Sequence, residues 1–132
     1  MKQTLDKTKW PQGIWNKEPD KAQWVDEETQ LPCLALRNTS GAWCGYVGVN
    51  SSHPYYKMEY NDLDISCHRG LTFSSFCDKN NDIWWLGFDC AHAGDLVPGL
   101  IYFFGCDDDI YRDLNFVKEQ CQSIAKQLKD VS

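Results

Sequence analysis

Two carboxylates and an imidazole stand three residues apart in Asp89-Cys90-Ala91-His92-Ala93-Gly94-Asp95, with Gly94 freeing the backbone between them. The other two histidines are His68, in the run His68-Arg69-Gly70, and His53, which precedes Pro54. All three fall in loop-like or strand-end text, where rigid scaffolds commonly present functional groups. Imidazole and carboxylate in this pattern suit three kinds of work. They can brace a strand end by satisfying backbone donors. They can line a pocket for a small polar ligand, with His68, His92 and Arg69 or Arg112 meeting an anion while aromatic faces stack a ring. They can also hold a divalent metal that activates water, although nothing resembles HExxH or another metal signature. The pocket reading gathers Tyr46, His53, His68, Thr72, Trp85, Asp89, His92, Asp95 and Arg112 as ligand-binding candidates. It expects no cofactor and no resident metal.

Nucleophilic catalysis would need a thiol beside a base. Cys90 precedes His92 by two positions, and side chains at i and i+2 share a face only if the strand continues that far. Cys44 with His68 is a second pairing. Otherwise the seven cysteines, Cys33, Cys44, Cys67, Cys77, Cys90, Cys106 and Cys121, contain no CxxC spacing. They read as small buried hydrophobes kept reduced. No GxSxG, P-loop or dinucleotide fingerprint occurs.

The elements that must position these groups read as a sheet followed by a helix. Residues 1–20 look irregular, interrupted by Pro11, Gly13 and Pro19, with Trp10 and Trp15 available to cover the body or a subunit contact. Strand text begins at Ala22-Gln23-Trp24-Val25-Asp26. It continues through Leu31-Pro32-Cys33-Leu34-Ala35-Leu36-Arg37, apolar enough for burial on both faces, and Trp43-Cys44-Gly45-Tyr46-Val47-Gly48-Val49. Short turns between them make a meander. The glycines of the third strand are places where a ligand or another backbone could come close. Residues 50–62 read as an open loop. Leu63-Asp64-Ile65-Ser66-Cys67 alternates as a half-buried strand should, 71–76 is its return, and Ile83 to Cys90 is the strongest strand of all. Tyr111, Leu114, Val117, Cys121, Ile124 and Leu128 recur at helical spacing, with Asp107-Asp108-Asp109 placed to favour the positive end of the helix dipole. The expected architecture is α+β: a mostly antiparallel sheet of meander and hairpins over 22–104, packed against one C-terminal helix over 110–129. The whole is read as one domain spanning 1–132.

Composition narrows the partners. A net charge of −6 argues against direct binding of nucleic-acid phosphates. It permits a basic protein surface, such as the nucleic-acid channel of a nuclease, or a small ligand met by a few local basic groups. The longest apolar run, Leu100-Ile101-Tyr102-Phe103-Phe104, is strand-sized and far short of a membrane span. The basic N-terminus has no apolar segment behind it, so a cytoplasmic protein without a signal peptide is expected. Six Trp, six Tyr and six Phe supply ample ring faces for a ligand.

A series of segments also resembles a family of small uncharacterised proteins of bacteriophages and prophage-bearing bacteria. The series runs Glu18-Pro19-Asp20-Lys21, Trp24-Val25-Asp26-Glu27, Leu31-Pro32-Cys33-Leu34, Cys44-Gly45-Tyr46-Val47-Gly48-Val49 and His53-Pro54. It continues with His68-x-Gly70-Leu71-Thr72-Phe73, Trp85-x-Gly87 through Asp95, and Tyr111-Arg112-Asp113-Leu114, covering roughly 18–128. The chain departs from that pattern at Arg69, where the family more often has glycine. The resemblance implies a phage-borne accessory protein in the host cytoplasm but no known reaction. The expected function is antagonism of host defence by binding, either sequestering a small nucleotide-like signal or inhibiting a defence protein. The enzyme alternative is a metal- or His/Asp-dependent hydrolase of a nucleotide-like substrate. A homo-oligomer is possible on this reading.

Overall fold

The computed structural model of the chain describes residues 7, 10–77, 82–101 and 108–132. The connection at 78–81, the run Tyr102-Phe103-Phe104, Cys106 and Asp107 lie outside them. Five antiparallel strands form one sheet: β1 (Lys21–Val25), β2 (Pro32–Arg37), β3 (Trp43–Val49), β4 (Phe73–Phe76) and β5 (Trp84–Asp89), in the order β1-β2-β3-β5-β4. The first three are the expected meander and the last two a hairpin whose second strand inserts beside β3. Two short strands, β6 (Asp95–Leu96) and β7 (Ile110–Tyr111), pair in parallel apart from this sheet. Helix α1 (Leu114–Val131) lies across β3 and β2. The fold is α+β, as the sequence predicts.

The core is the layer between α1 and one face of the sheet. Val117, Cys121, Ile124, Ala125 and Leu128 of the helix are fully buried against a face that includes Cys33, Ala35, Trp43, Val47, Leu86 and Phe88. Each Ile or Leu buried there contributes about 2–3 kcal/mol of apolar transfer. Gly45 permits the close approach of this layer. A Cβ there would sit 2.5 Å from the Phe88 ring and 3.0 Å from Cys121 Sγ. The space that the strand glycines leave is therefore filled from within: Phe88 crosses Gly45, Ile83 crosses Gly48, and Tyr46 lies over Gly87.

Four sequence expectations are corrected. Strand β2 is not buried on both faces: Cys33, Ala35 and Arg37 are buried while Pro32, Leu34 and Leu36 are half-exposed, because the helix covers only one side. Residues 63–67 form no strand. Their alternation is genuine, with Leu63, Ile65 and Cys67 packed toward the core and Asp64 and Ser66 exposed, but among the described residues no strand pairs with them. The helix begins at Leu114 rather than 110, and Tyr111 belongs to β7. Finally, Asp108 and Asp109 lie ahead of the first turn rather than in it, Asp107 being outside the described residues. Asp113 is the N-cap, its carboxylate accepting the Phe116 N–H at 2.8 Å, and Glu18 accepts the Leu114 N–H at 2.8 Å. Two orphan donors of the helix start are thereby satisfied from outside the triplet.

Candidate functional site

Asp95 is the centre around which the candidate residues gather. Strand β5 ends at Asp89, a turn through residues 91–94 follows, and Gly94 takes φ +93° to close it. This turn swings Asp95 inward, where its side chain is 1% exposed. Both carboxylate oxygens lie 2.9 Å from His68 Nε2, the His92 N–H donates to Oδ2 at 3.1 Å, and Arg112 Nε donates to Oδ1 at 3.2 Å. Burial by itself would raise the carboxyl. The hydrogen bonds from His68, from the His92 backbone and from Arg112 outweigh it and hold Asp95 below its ordinary range. The group is a carboxylate that keeps two basic side chains in place.

A second carboxylate continues the network outward. Asp89 Oδ1 accepts the Ala91 N–H at 3.1 Å and Oδ2 accepts the Thr72 hydroxyl at 3.1 Å. His92 Nε2 is 3.0 Å from Asp89 Oδ1, but the geometry is off-line. The nitrogen, itself shielded from solvent, is left without a hydrogen-bond partner among the described residues. The His68 and His92 rings stand edge to face at 6.3 Å. Arg69 joins from the facing turn, donating from Nη2 to Ala93 O at 2.8 Å. Its backbone sits at φ +58°, a region that glycine adopts without strain and arginine does not.

Tyr46 and Trp85 share the sheet face of Asp89, since Cys44 pairs with Asp89, Tyr46 with Gly87 and Gly48 with Trp85 across β3 and β5. Tyr46 packs edge to face on Phe73 at 5.2 Å, next in sequence to Thr72. Eight of the nine candidates thus lie on this wall or in the Asp95 cluster. His53 does not. Its Nδ1 accepts the Tyr55 N–H at 2.9 Å, so its Nε2–H is the donor to Leu128 O at 2.8 Å, at the opposite end of α1. There it lines a separate cleft of about 170 Å³ with Lys129, Asn50 and Ser52. His53 therefore stands apart from His68 and His92, whose rings lie side by side.

The described thiols make poor nucleophiles. Because the strand stops at Asp89, Cys90 and His92 do not share a strand face, and Cys90 is buried in the core. Burial raises its thiol, as it does that of Cys121. Cys44 is raised to about 11, by burial and then by Asp89, and its side-chain partner is Tyr46 rather than His68. Among the described residues no three His, Cys, Asp or Glu side chains are placed to hold a metal, and the six described cysteines are free.

A second buried cluster escaped the sequence reading. Arg37, fully buried, donates to Asp20 Oδ1 at 3.1 Å, Glu18 Oε1 at 3.0 Å, Gly41 O at 2.8 Å and the Tyr111 hydroxyl at 2.9 Å. Its guanidinium lies 4.6 Å from the Trp43 ring and 5.8 Å from that of Trp10. The Tyr111 hydroxyl in turn donates to Glu18. Lys7 closes the far side, on Asp20 at 2.8 Å and on the carbonyls of Trp15 and Glu18. Trp10 and Trp15 are both buried within the chain, so the irregular N-terminal segment is fastened to the body by charge as well as by rings. Separation in sequence hid this cluster; a polar residue at a core-facing strand position, Arg37 between Ala35 and the turn, was the available signal.

Comparison with protein-family models, curated proteins and solved structures finds no match.

Proposed function

We propose that this chain is a binding protein that captures a small anionic, nucleotide-like ligand at the Asp95 cluster. One observation carries the reading: four basic side chains, His68, Arg69, His92 and Arg112, gather around two carboxylates in a chain whose net charge is −6. The two guanidiniums match the two carboxylates, and the two imidazoles add hydrogen-bonding nitrogens without adding to the formal charge. The terminal nitrogens of Arg112 make no hydrogen bond among the described residues, so donors remain for phosphate or ribose oxygens. The Tyr46–Phe73 pair beside Thr72 offers the ring faces on which a base would stack. The resemblance to phage and prophage proteins gives this binding a setting: sequestration of a nucleotide-derived host-defence signal. Inhibition of a defence protein by the acidic surface is the related outcome.

A second reading, a His/Asp-dependent hydrolase of the same ligand class, is favoured by the His68–Asp95 pair, in which a carboxylate orients an imidazole for proton transfer. One experiment separates the two. The purified protein is incubated with a panel of cyclic nucleotides and nucleotide-derived signals, then heat-denatured, and the released ligand is analysed. Intact ligand supports sequestration, and altered ligand supports hydrolysis. No retention and no alteration overturns both and leaves a protein partner.

A further inference from the structure

Residues 63–70 carry His68 into the cluster, and their backbone is held by side chains of α1 where a sheet would use a strand. Gln127 accepts the Ser66 N–H at Oε1 and donates from Nε2 to Ser66 O, each at 2.8 Å. A single carboxamide thus supplies the pair of bonds that two residues of an antiparallel ladder exchange. Gln120 Oε1 accepts the His68 N–H at 2.8 Å. Phe116 receives the His68 ring edge-on at 5.2 Å and 90°, and the Arg112 guanidinium stacks 4.8 Å from the same ring. Steps of four and seven place Phe116, Gln120 and Gln127 on one stripe of the helix, beside the apolar stripe that faces the sheet.

We propose that this stripe is the positioning element of the site: docking of 63–70 on α1 sets the His68 imidazole against Asp95, and undocking releases it. Phe116 serves both arms, fixing Arg112 and His68 from one ring so that their polar ends converge on the same carboxylate. The two Gln127–Ser66 bonds are exposed to water, so each is weak, and Leu63, Ile65 and Cys67 against the core supply the rest of the hold; the arm opens locally, at less than the cost of unfolding the chain. Entry of a ligand to the cluster is then coupled to the state of this arm. That consequence rests on the binding reading above; the positioning of His68 does not.

The test uses the full chain and three measurements: amide exchange at Ser66 and His68, the imidazole nitrogen shifts of His68, and ligand retention in the nucleotide panel. In a Gln120→Leu/Gln127→Leu variant, exchange at both amides should rise about tenfold or more. The His68 shifts should lose the signature of the Asp95 pair, and retention should fall about tenfold while helical circular dichroism stays unchanged. Gln120→Glu, which keeps the acceptor for the His68 N–H, should restore the imidazole signature. If the double variant loses its helix, Gln127→Glu, which removes only the donor to Ser66, is read for the same changes. Unchanged His68 shifts in a variant whose Ser66 amide has become exposed would overturn the proposal. Failure of the wild-type chain to retain any nucleotide would overturn the binding reading alone, since the exchange and imidazole measurements need no ligand.

Discussion

Arg37 and Asp95 are both buried charges at the hub of a hydrogen-bond network, and they are completed in different ways. Arg37 is surrounded: two carboxylates, a carbonyl and a phenol take its donors, and the Trp43 and Trp10 rings flank its plane. Asp95 holds partners that are themselves incompletely engaged, with His92 31% and Arg112 26% exposed at the side chain. A buried ion cluster such as that of Arg37, with four of the five guanidinium N–H groups taken inside the protein, contributes order and leaves little to offer a ligand. One whose partners reach the water boundary, as Arg112 does, keeps donors that the binding reading can use. The contrast separates a structural hub from a candidate site although the two have similar residue types.

The hubs are also joined. Tyr111 of β7 reaches Glu18 and Arg37 while its neighbour Arg112 reaches Asp95, and β7 pairs with β6, which carries Asp95. Glu18 further caps the start of α1 at Leu114. The N-terminal segment thus braces the base from which Arg112 and Phe116 project.

The sharpest way to break the comparison is Arg37→Ala. Removing the cation leaves Lys7 alone on buried Asp20 and takes the charged partner from half-buried Glu18, and a loss of about 3–5 kcal/mol in urea denaturation is expected. A loss under about 1 kcal/mol would place Arg37 with the dispensable surface pairs. Next in size is Glu18→Gln, which keeps one acceptor but weakens the links to Arg37, Tyr111 and Leu114; about 1–3 kcal/mol should be lost. Ligand retention should also drop if the two hubs communicate.

Asp95→Asn should instead alter pH dependence. Because the folded carboxyl lies below its ordinary value of 3.8, its ionised form adds stability above that value. This is lost as pH falls through the lower, folded value. Wild-type stability should therefore decline in acid below about pH 4 more steeply than that of the Asn variant, measured by thermal melts across pH. Parallel curves would mean that Asp95 is not held as a carboxylate by its basic neighbours. At the helix start, Asp113→Ala should cost about 1 kcal/mol, whereas Asp108→Asn should change stability by less than about 0.5 kcal/mol.

The smallest effect is expected of Arg69→Gly. Relief of the positive-φ strain, of order 1 kcal/mol, offsets the greater freedom of glycine in the unfolded chain, so the melting temperature should barely move. Ligand retention should nevertheless weaken, because a guanidinium leaves the rim. If retention is unaffected, Arg69 has no part in the site.

Periodicity and local spacing determined much of this protein. The strands Trp43–Val49 and Trp84–Asp89, the apolar stripe of Val117, Cys121, Ile124 and Leu128, and the closeness of Asp89, His92 and Asp95 all follow from positions near one another in the chain. Tertiary structure alone decided which distant groups meet. The alternation at 63–67 correctly gave an inward and an outward face but could not say that a helix glutamine, not a strand, would complete the backbone. His68 finds Asp95 27 positions away, Tyr111 finds Glu18 93 positions away, and His53 goes to the far end of the helix. A repeating pattern reports the environment of each side chain, whereas the partner of a charge is chosen by where the packed layers bring remote segments together.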